Sequence, residues 1–256
     1  MFPRTPFQVS SALSSGERLR EALRPLFPLW IGFLLHSRFW EVDSVRRRPA
    51  HIPAKEQYEG NPIAYIIHRS TPFSWGNALS PGIRSLPKRH CLAILTNNTC
   101  VCFCFIFFEV VRRLVHELPD VKSVQWKSAF VKPRSVYHWD EDLGRERCVR
   151  HEFLIITMAN GQQFVLDPTG YQFGFPGWLY KKSDYYSSFI TVHADEQTRS
   201  FSSERLQNFY NAVIKRYSYD RNVRQWRKLL SGQSLEQLKA CRVSEEAEYL
   251  QELMEF

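Results

Sequence analysis

The chain has 256 residues, of which 44% are apolar and 14% aromatic, enough to fill a core, so wholesale disorder is excluded. Charged residues make up 23% and mean hydropathy is -0.36, a composition that argues against an integral membrane protein. The 34 Lys and Arg against 26 Asp and Glu leave a formal charge of +8, which permits an acidic partner without naming one.

Residues 1–15 read as an arm, and residues 16–24 as a short helix stopped by Pro25 and Pro28. The apolar run 26–35 is interrupted by Pro28 and falls short of the ~20 residues that cross a bilayer, so no membrane partner is expected. Arg46, Arg47 and Arg48 before Pro49 read as a solvated basic turn. Between residues 59 and 90, Gly60, Pro62, Pro72, Gly76, Pro81, Gly82 and Pro87 leave no room for a long element, which predicts an extended loop region folded over a site.

Residues 91–118 form the most apolar stretch, broken only by Thr96, Asn97, Asn98 and Thr99. That polar cluster supplies N-cap side chains and predicts a helix from Cys100 to about Leu118, ended by Pro119. Its first half carries no polar stripe and should be buried on every side. Two short β-prone runs, 153–158 and 162–166, flank Ala159, Asn160 and Gly161 and predict a hairpin.

Beyond Ser202 the chain reads as helical. Ser234 and Gln237 form a capping-box pattern, and Tyr249, Leu250, Leu253 and Met254 give the last helix one apolar face. The basic, aromatic stretch 215–228 reads as a surface helix with Tyr210, Val213, Trp226, Leu229 and Leu230 buried; nucleic-acid binding through it is the lesser alternative.

Six cysteines, at 91, 100, 102, 104, 148 and 241, are too few and too unevenly spaced for a disulfide framework, and the N-terminus lacks a secretory pattern. The expected setting is intracellular and reducing, cytoplasmic first. Nuclear and mitochondrial locations stay open, the latter because residues 1–25 hold only two acids, Glu17 and Glu21. Cys148 and His151 have metal-type spacing but no matching second pair, so neither a metal nor any other cofactor is expected.

Three residues satisfy the specification for acyl chemistry: Cys100 at a helix start, His151 leading one strand and Asp167 closing the next. A helix N-terminus favours the thiolate, an imidazole must lie beside the sulfur, and a carboxylate must fix the imidazole tautomer. Hairpin register decides whether the last two meet. A two-residue Asn160-Gly161 turn points His151 away from Asp167, whereas a three-residue turn with left-handed Gly161 pairs Phe153 with Asp167 and brings His151 onto the same face. For Cys100 the alternative is a buried structural thiol. Cys102 and Cys104 read as core, Asp167 doubles as a turn former, and His151 alone could be a strand-edge residue.

The run His151-Glu-Phe-Leu-Ile-Ile, a turn with Gly161, and Phe164-Val-Leu-Asp167-Pro168-Thr169-Gly170 resemble the transglutaminase-like branch of the papain-like cysteine enzymes. The family's Gly-x-Cys pattern at the nucleophile falls best on Cys100, with Asn98 standing where the Gly would be. The resemblance covers residues 90–180. It implies an α+β fold, a buried helix packed on an antiparallel sheet, and amide or thioester acyl transfer by Cys100, His151 and Asp167.

The expected organisation is an arm and short helix over 1–54, a transglutaminase-like core over 55–200 and a helical segment over 201–256 packed on that core. The expected substrate is an acyl or amide group, with a protein side chain as one candidate. A catalytically inactive interaction protein of the same fold is the alternative.

Overall fold

A reciprocal cap starts the first helix: the Ser14 hydroxyl accepts the Glu17 N–H and the Glu17 carboxylate accepts the Ser14 N–H. In the computed structural model, which describes residues 14–35, 38–39, 42–49, 62–69, 74–75, 81–139, 150–191, 197–198 and 220–240, this helix is α1 (Ser15–Leu23). It buries Leu19 and Leu23, one turn apart. α2 (Leu26–Leu35) follows directly. α1 ends before Pro25 as expected, but Pro28 does not interrupt the run 26–35, because it sits in the first turn of α2, where its missing N–H would have no partner within the helix. Leu26, Phe27, Trp30, Ile31, Phe33 and Leu34 are all buried, so α2 is a core helix.

Next come β1 (Arg38–Phe39), β2 (Val42–Arg47), β3 (Ile63–Arg69) and β4 (Ser74–Trp75). β1 pairs with β4, and β2 runs antiparallel to β3. The basic turn expected at Arg46 and Arg47 is therefore strand, with both side chains exposed. The expected long loop likewise contains β3: seven residues without Gly or Pro suffice, and Tyr65, Ile66 and Ile67 are buried. α3 (Pro81–Arg84) and α4 (Lys88–Leu95) lead to α5 (Cys100–His116), whose residues 102–108 are buried without exception. Glu109, Arg112 and His116 then open an exposed stripe.

After α5 come β5 (Val121–Phe130), β6 (Ser135–Trp139), β7 (Arg150–Met158), β8 (Gln163–Leu166), a 3-10 turn (Gly170–Phe173), β9 (Leu179–Lys181), α6 (Lys182–Phe189) and β10 (Gln197–Thr198). Five strands form an antiparallel sheet in the order β10-β5-β7-β8-β9, and β6 joins β3 in parallel to complete a three-stranded sheet with β2. The fold is α+β. Alternation along β7 sorts its side chains: Leu154 and Ile156 join the large core containing α5, while Phe153 and Ile155 join a smaller cluster with Val165, Phe175, Tyr185 and Phe189. The large core also takes in α1 and α2.

α7 (Asp220–Gly232) and α8 (Leu235–Ala240) lie against α5. Arg113 of α5 donates to the carbonyls of Leu230 and Gln233 at the end of α7, and Lys239 pairs with Glu117. The Ser234 and Gln237 capping box forms as expected. Leu229 departs from expectation at 52% exposed, because Val223, Trp226 and Leu230 hold the inward helical positions. Arg227 lies over the Phe105 ring at 4.2 Å. Tyr210, Val213, residues 215–219 and the last helix fall outside the described residues.

Candidate active site

The hairpin turn settles which side chains meet. The Met158 N–H donates to the Gln162 carbonyl at 2.8 Å and the Gly161 N–H to the Met158 carbonyl at 3.0 Å, with Gly161 left-handed at φ 84. The turn is thus the three-residue form. The ladder runs Thr157–Gln163, Ile156–Phe164, Ile155–Val165 and Leu154–Leu166, which carries Phe153 level with Asp167. His151 then shares the Asp167 face, and its Nε2 lies 2.9 Å from Asp167 Oδ2 with both side chains fully buried.

Asp167 receives four hydrogen bonds. Oδ1 accepts from the Thr169 N–H at 3.2 Å and the Thr169 hydroxyl at 3.0 Å, while Oδ2 accepts from the Tyr185 hydroxyl at 2.9 Å as well as from His151. Such a shell suits an ionised carboxylate, since every partner donates. Gly170 is required beside it, because a Cβ there would lie 2.5 Å from Asp167 Oδ2 and 2.8 Å from Phe175 Cδ2. The Phe173 ring meets the His151 ring edge-on at 4.9 Å between centroids.

Burial pulls the His151 imidazole toward its neutral form, but the Asp167 charge and hydrogen bond, with a smaller contribution from the Cys100 thiol, outweigh it and raise its pKa to about 10. The imidazole therefore carries a proton at neutral pH. Nε2 is engaged by Asp167. Nδ1 is buried with no hydrogen bond of good geometry among the described residues, yet the Cys100 thiol is near enough to act on the ring. Cys100, His151 and Asp167 are thus brought to one place.

Cys100 keeps 8% of its surface exposed, whereas Cys102 and Cys104 are buried within the core. Burial pushes the Cys91 thiol up to about 12, and raises Cys102 and Cys104 as well, the last reinforced by the Glu152 charge. Those three thiols stay protonated, and they are inert in the way expected of core cysteines.

The first turn of α5 differs from expectation in its cap. Thr99 precedes Cys100 but its hydroxyl donates to the Thr96 carbonyl at 2.7 Å and does not cap the helix. Among the described residues the leading N–H groups of α5 have no side-chain cap from Thr99. One residue earlier, Asn98 is left-handed at φ 59, and its N–H donates to the Gln172 side-chain carbonyl at 3.0 Å.

Sequence reasoning missed Gln172 and Tyr185. Gln172 carries a faint signal, a lone amide in an aromatic, glycine-rich loop after Asp167; Tyr185 carries none, since α6 brings it back to the carboxylate only in three dimensions. Cys148 lies outside the described residues. Among the described residues no group of three or more His, Cys, Asp or Glu side chains is placed to hold a metal ion. No single described helix is long and apolar enough to cross a membrane; α4 and α5 together pass that test by length and composition but are bent by 77°.

No family model matches the chain, and neither a curated protein nor a solved structure does.

Proposed function

We propose that the protein is a cysteine-dependent acyl-transfer or amide-hydrolysing enzyme of the transglutaminase-like, papain-like type, with Cys100 as nucleophile, His151 as acid and base, and Asp167 as the group that orients His151. The observation that carries this reading is the fully buried 2.9 Å bond from His151 Nε2 to Asp167 Oδ2, with the Cys100 thiol acting on the same ring. Asn98 supports it too. The family's Gly position is occupied here by a residue in the left-handed conformation that Gly adopts freely and that Asn tolerates better than most, so the departure is in residue type and not in backbone.

In this reaction the Cys100 thiolate attacks the substrate carbonyl carbon, and the carbonyl electron pair moves onto oxygen. The Cys100 N–H at the start of α5 is suited to receive that oxyanion. Collapse breaks the bond to the leaving amine or thiol as the His151 imidazolium gives it a proton, leaving a thioester on Cys100. An acceptor amine, hydroxyl or water then loses its proton to His151, attacks the thioester, and releases the thiolate. Asp167 keeps the imidazolium oriented throughout.

Alkylation with iodoacetamide, read peptide by peptide by mass spectrometry, tests the reading without knowledge of the substrate. Cys100 should react far faster than Cys102 and Cys104, with a pH inflection below the ~8.5 of a free thiol. Labelling of Cys100 no faster than that of the core thiols would instead support an inactive interaction protein.

A further inference from the structure

Gln172 is 6% exposed and spends both ends of its amide on backbone: Oε1 accepts the Asn98 N–H at 3.0 Å and Nε2 donates to the Thr169 carbonyl at 3.1 Å. Thr169 is the residue whose own N–H and hydroxyl hold Asp167 Oδ1. Asn98 stands two residues before Cys100 with a left-handed φ of 59. One side chain therefore joins the turn that seats the carboxylate to the bend that starts the nucleophile's helix. These two segments lie far apart in sequence, and neither the α4–α5 connection nor the Asp167 turn could set the other's position by local geometry alone.

From this bridge we infer that Gln172 is a positioning residue, resting on the acyl-transfer reading, which holds Asn98 left-handed and so sets Cys100 against the imidazole that Asp167 orients. A left-handed φ is unfavourable for a residue other than Gly. The buried amide offsets that cost by giving the Asn98 N–H its acceptor, and it fixes the distance between the two halves of the site. Among the described residues, Cys100 acts on His151 of β7 and on Cys102 and Cys104 of its own helix. Asp167 reaches it through His151, and Glu152 acts on Cys104. None of these touches Gln172's two partners except Asp167, through Thr169.

The test is the pH profile of Cys100 alkylation in the full chain. Gln172→Met keeps length and bulk while removing both hydrogen bonds; it should move the inflection upward toward the ~8.5 of a free thiol, a shift of about one pH unit or more, with far-UV circular dichroism unchanged. Adding Asn98→Gly to it should restore most of the wild-type profile, because Gly holds the left-handed conformation without help. Should Gln172→Met not fold, the pair Asn98→Ala and Asn98→Gly carries the same question: Ala should shift the profile upward and Gly should not. A Gln172→Met profile superimposable on wild type, or equal profiles for the Asn98 pair, would overturn the role of Gln172. A wild-type Cys100 that reacts like a free or core thiol sinks the acyl-transfer reading instead, so the two failures are distinguishable.

Discussion

Two of the three buried imidazoles among the described residues face opposite fates. His151 lies fully buried 2.9 Å from the Asp167 carboxylate and its pKa is raised to about 10; His90 lies buried with its Nδ1 2.9 Å from the Tyr137 hydroxyl, and its pKa is lowered by burial and by the Arg89 charge. Burial pulls both the same way. What separates them is the charge of the partner: a carboxylate outweighs desolvation, and a neutral phenol, itself pushed up to about 12 by burial, does not. His90 is also framed by Tyr65 and Tyr137 rings, stacked on each other at 5.0 Å, so its surroundings are those of a packing residue. A buried histidine thus says little about function until its partner is known.

Substituting each imidazole in turn should separate the two histidines by the largest effect. His151→Gln keeps a donor for Asp167 but cannot carry the proton, so alkylation of Cys100 at pH 7 should fall by about tenfold or more. His90→Gln should leave that rate within about twofold. Equal losses in the two variants would show that the partner's charge is not what matters.

Gly170→Ala attacks the carboxylate's seat. Its Cβ would press on Asp167 Oδ2 and Phe175, both in a packed interior, so urea unfolding should show a loss of about 1–3 kcal/mol together with slower Cys100 labelling. Full stability with unchanged labelling would mean that the site accommodates a shift the packing does not suggest.

The two histidines should also leave opposite marks on stability against pH. His151 is raised above its unfolded value of ~6.5, so its contribution is complete below that pH and is lost as pH climbs through about 10. His90 is lowered, so its contribution is present above ~6.5 and is lost as pH falls through its folded value. Each limb has a maximal slope of about 1.4 kcal/mol per pH unit. Melting curves between pH 5 and 7.5, below the range where unfolded thiols ionise appreciably, should therefore pass through a maximum. His151→Gln should flatten the upper limb and His90→Gln the lower one. The smallest effect belongs to Gly161→Ala, which faces open space but keeps φ 84, and should cost about 1 kcal/mol with the hairpin register and Cys100 labelling retained.

Much of the site was legible in the residues themselves. Helical periodicity and the break at Thr96 to Thr99 marked Cys100 as the first residue of α5, and the two β-prone runs located His151 and Asp167. The elements misjudged share one cause. Pro28, Arg46 and Arg47, and β3 sit where local signals favour breaks or turns, and burial in a shared core or pairing with a distant strand overrode them. Leu229 was misplaced by a helix position that only packing against α5 selects.

The amino-acid sequence alone determined the order Cys, His, Asp, the elements that carry them and the two turns the hairpin could take, because these depend on local propensities and on an alternation with period two. It could not choose between those turns. Packing on both faces of the sheet did so: Leu154 and Leu166 are committed to the α5 core and Phe153 and Val165 to the cluster with Tyr185, so a slip of one residue would turn the shifted strand's pair to the wrong sides. The same tertiary closure brings Thr169, Tyr185 and Gln172 to a carboxylate and a helix start that no local rule connects.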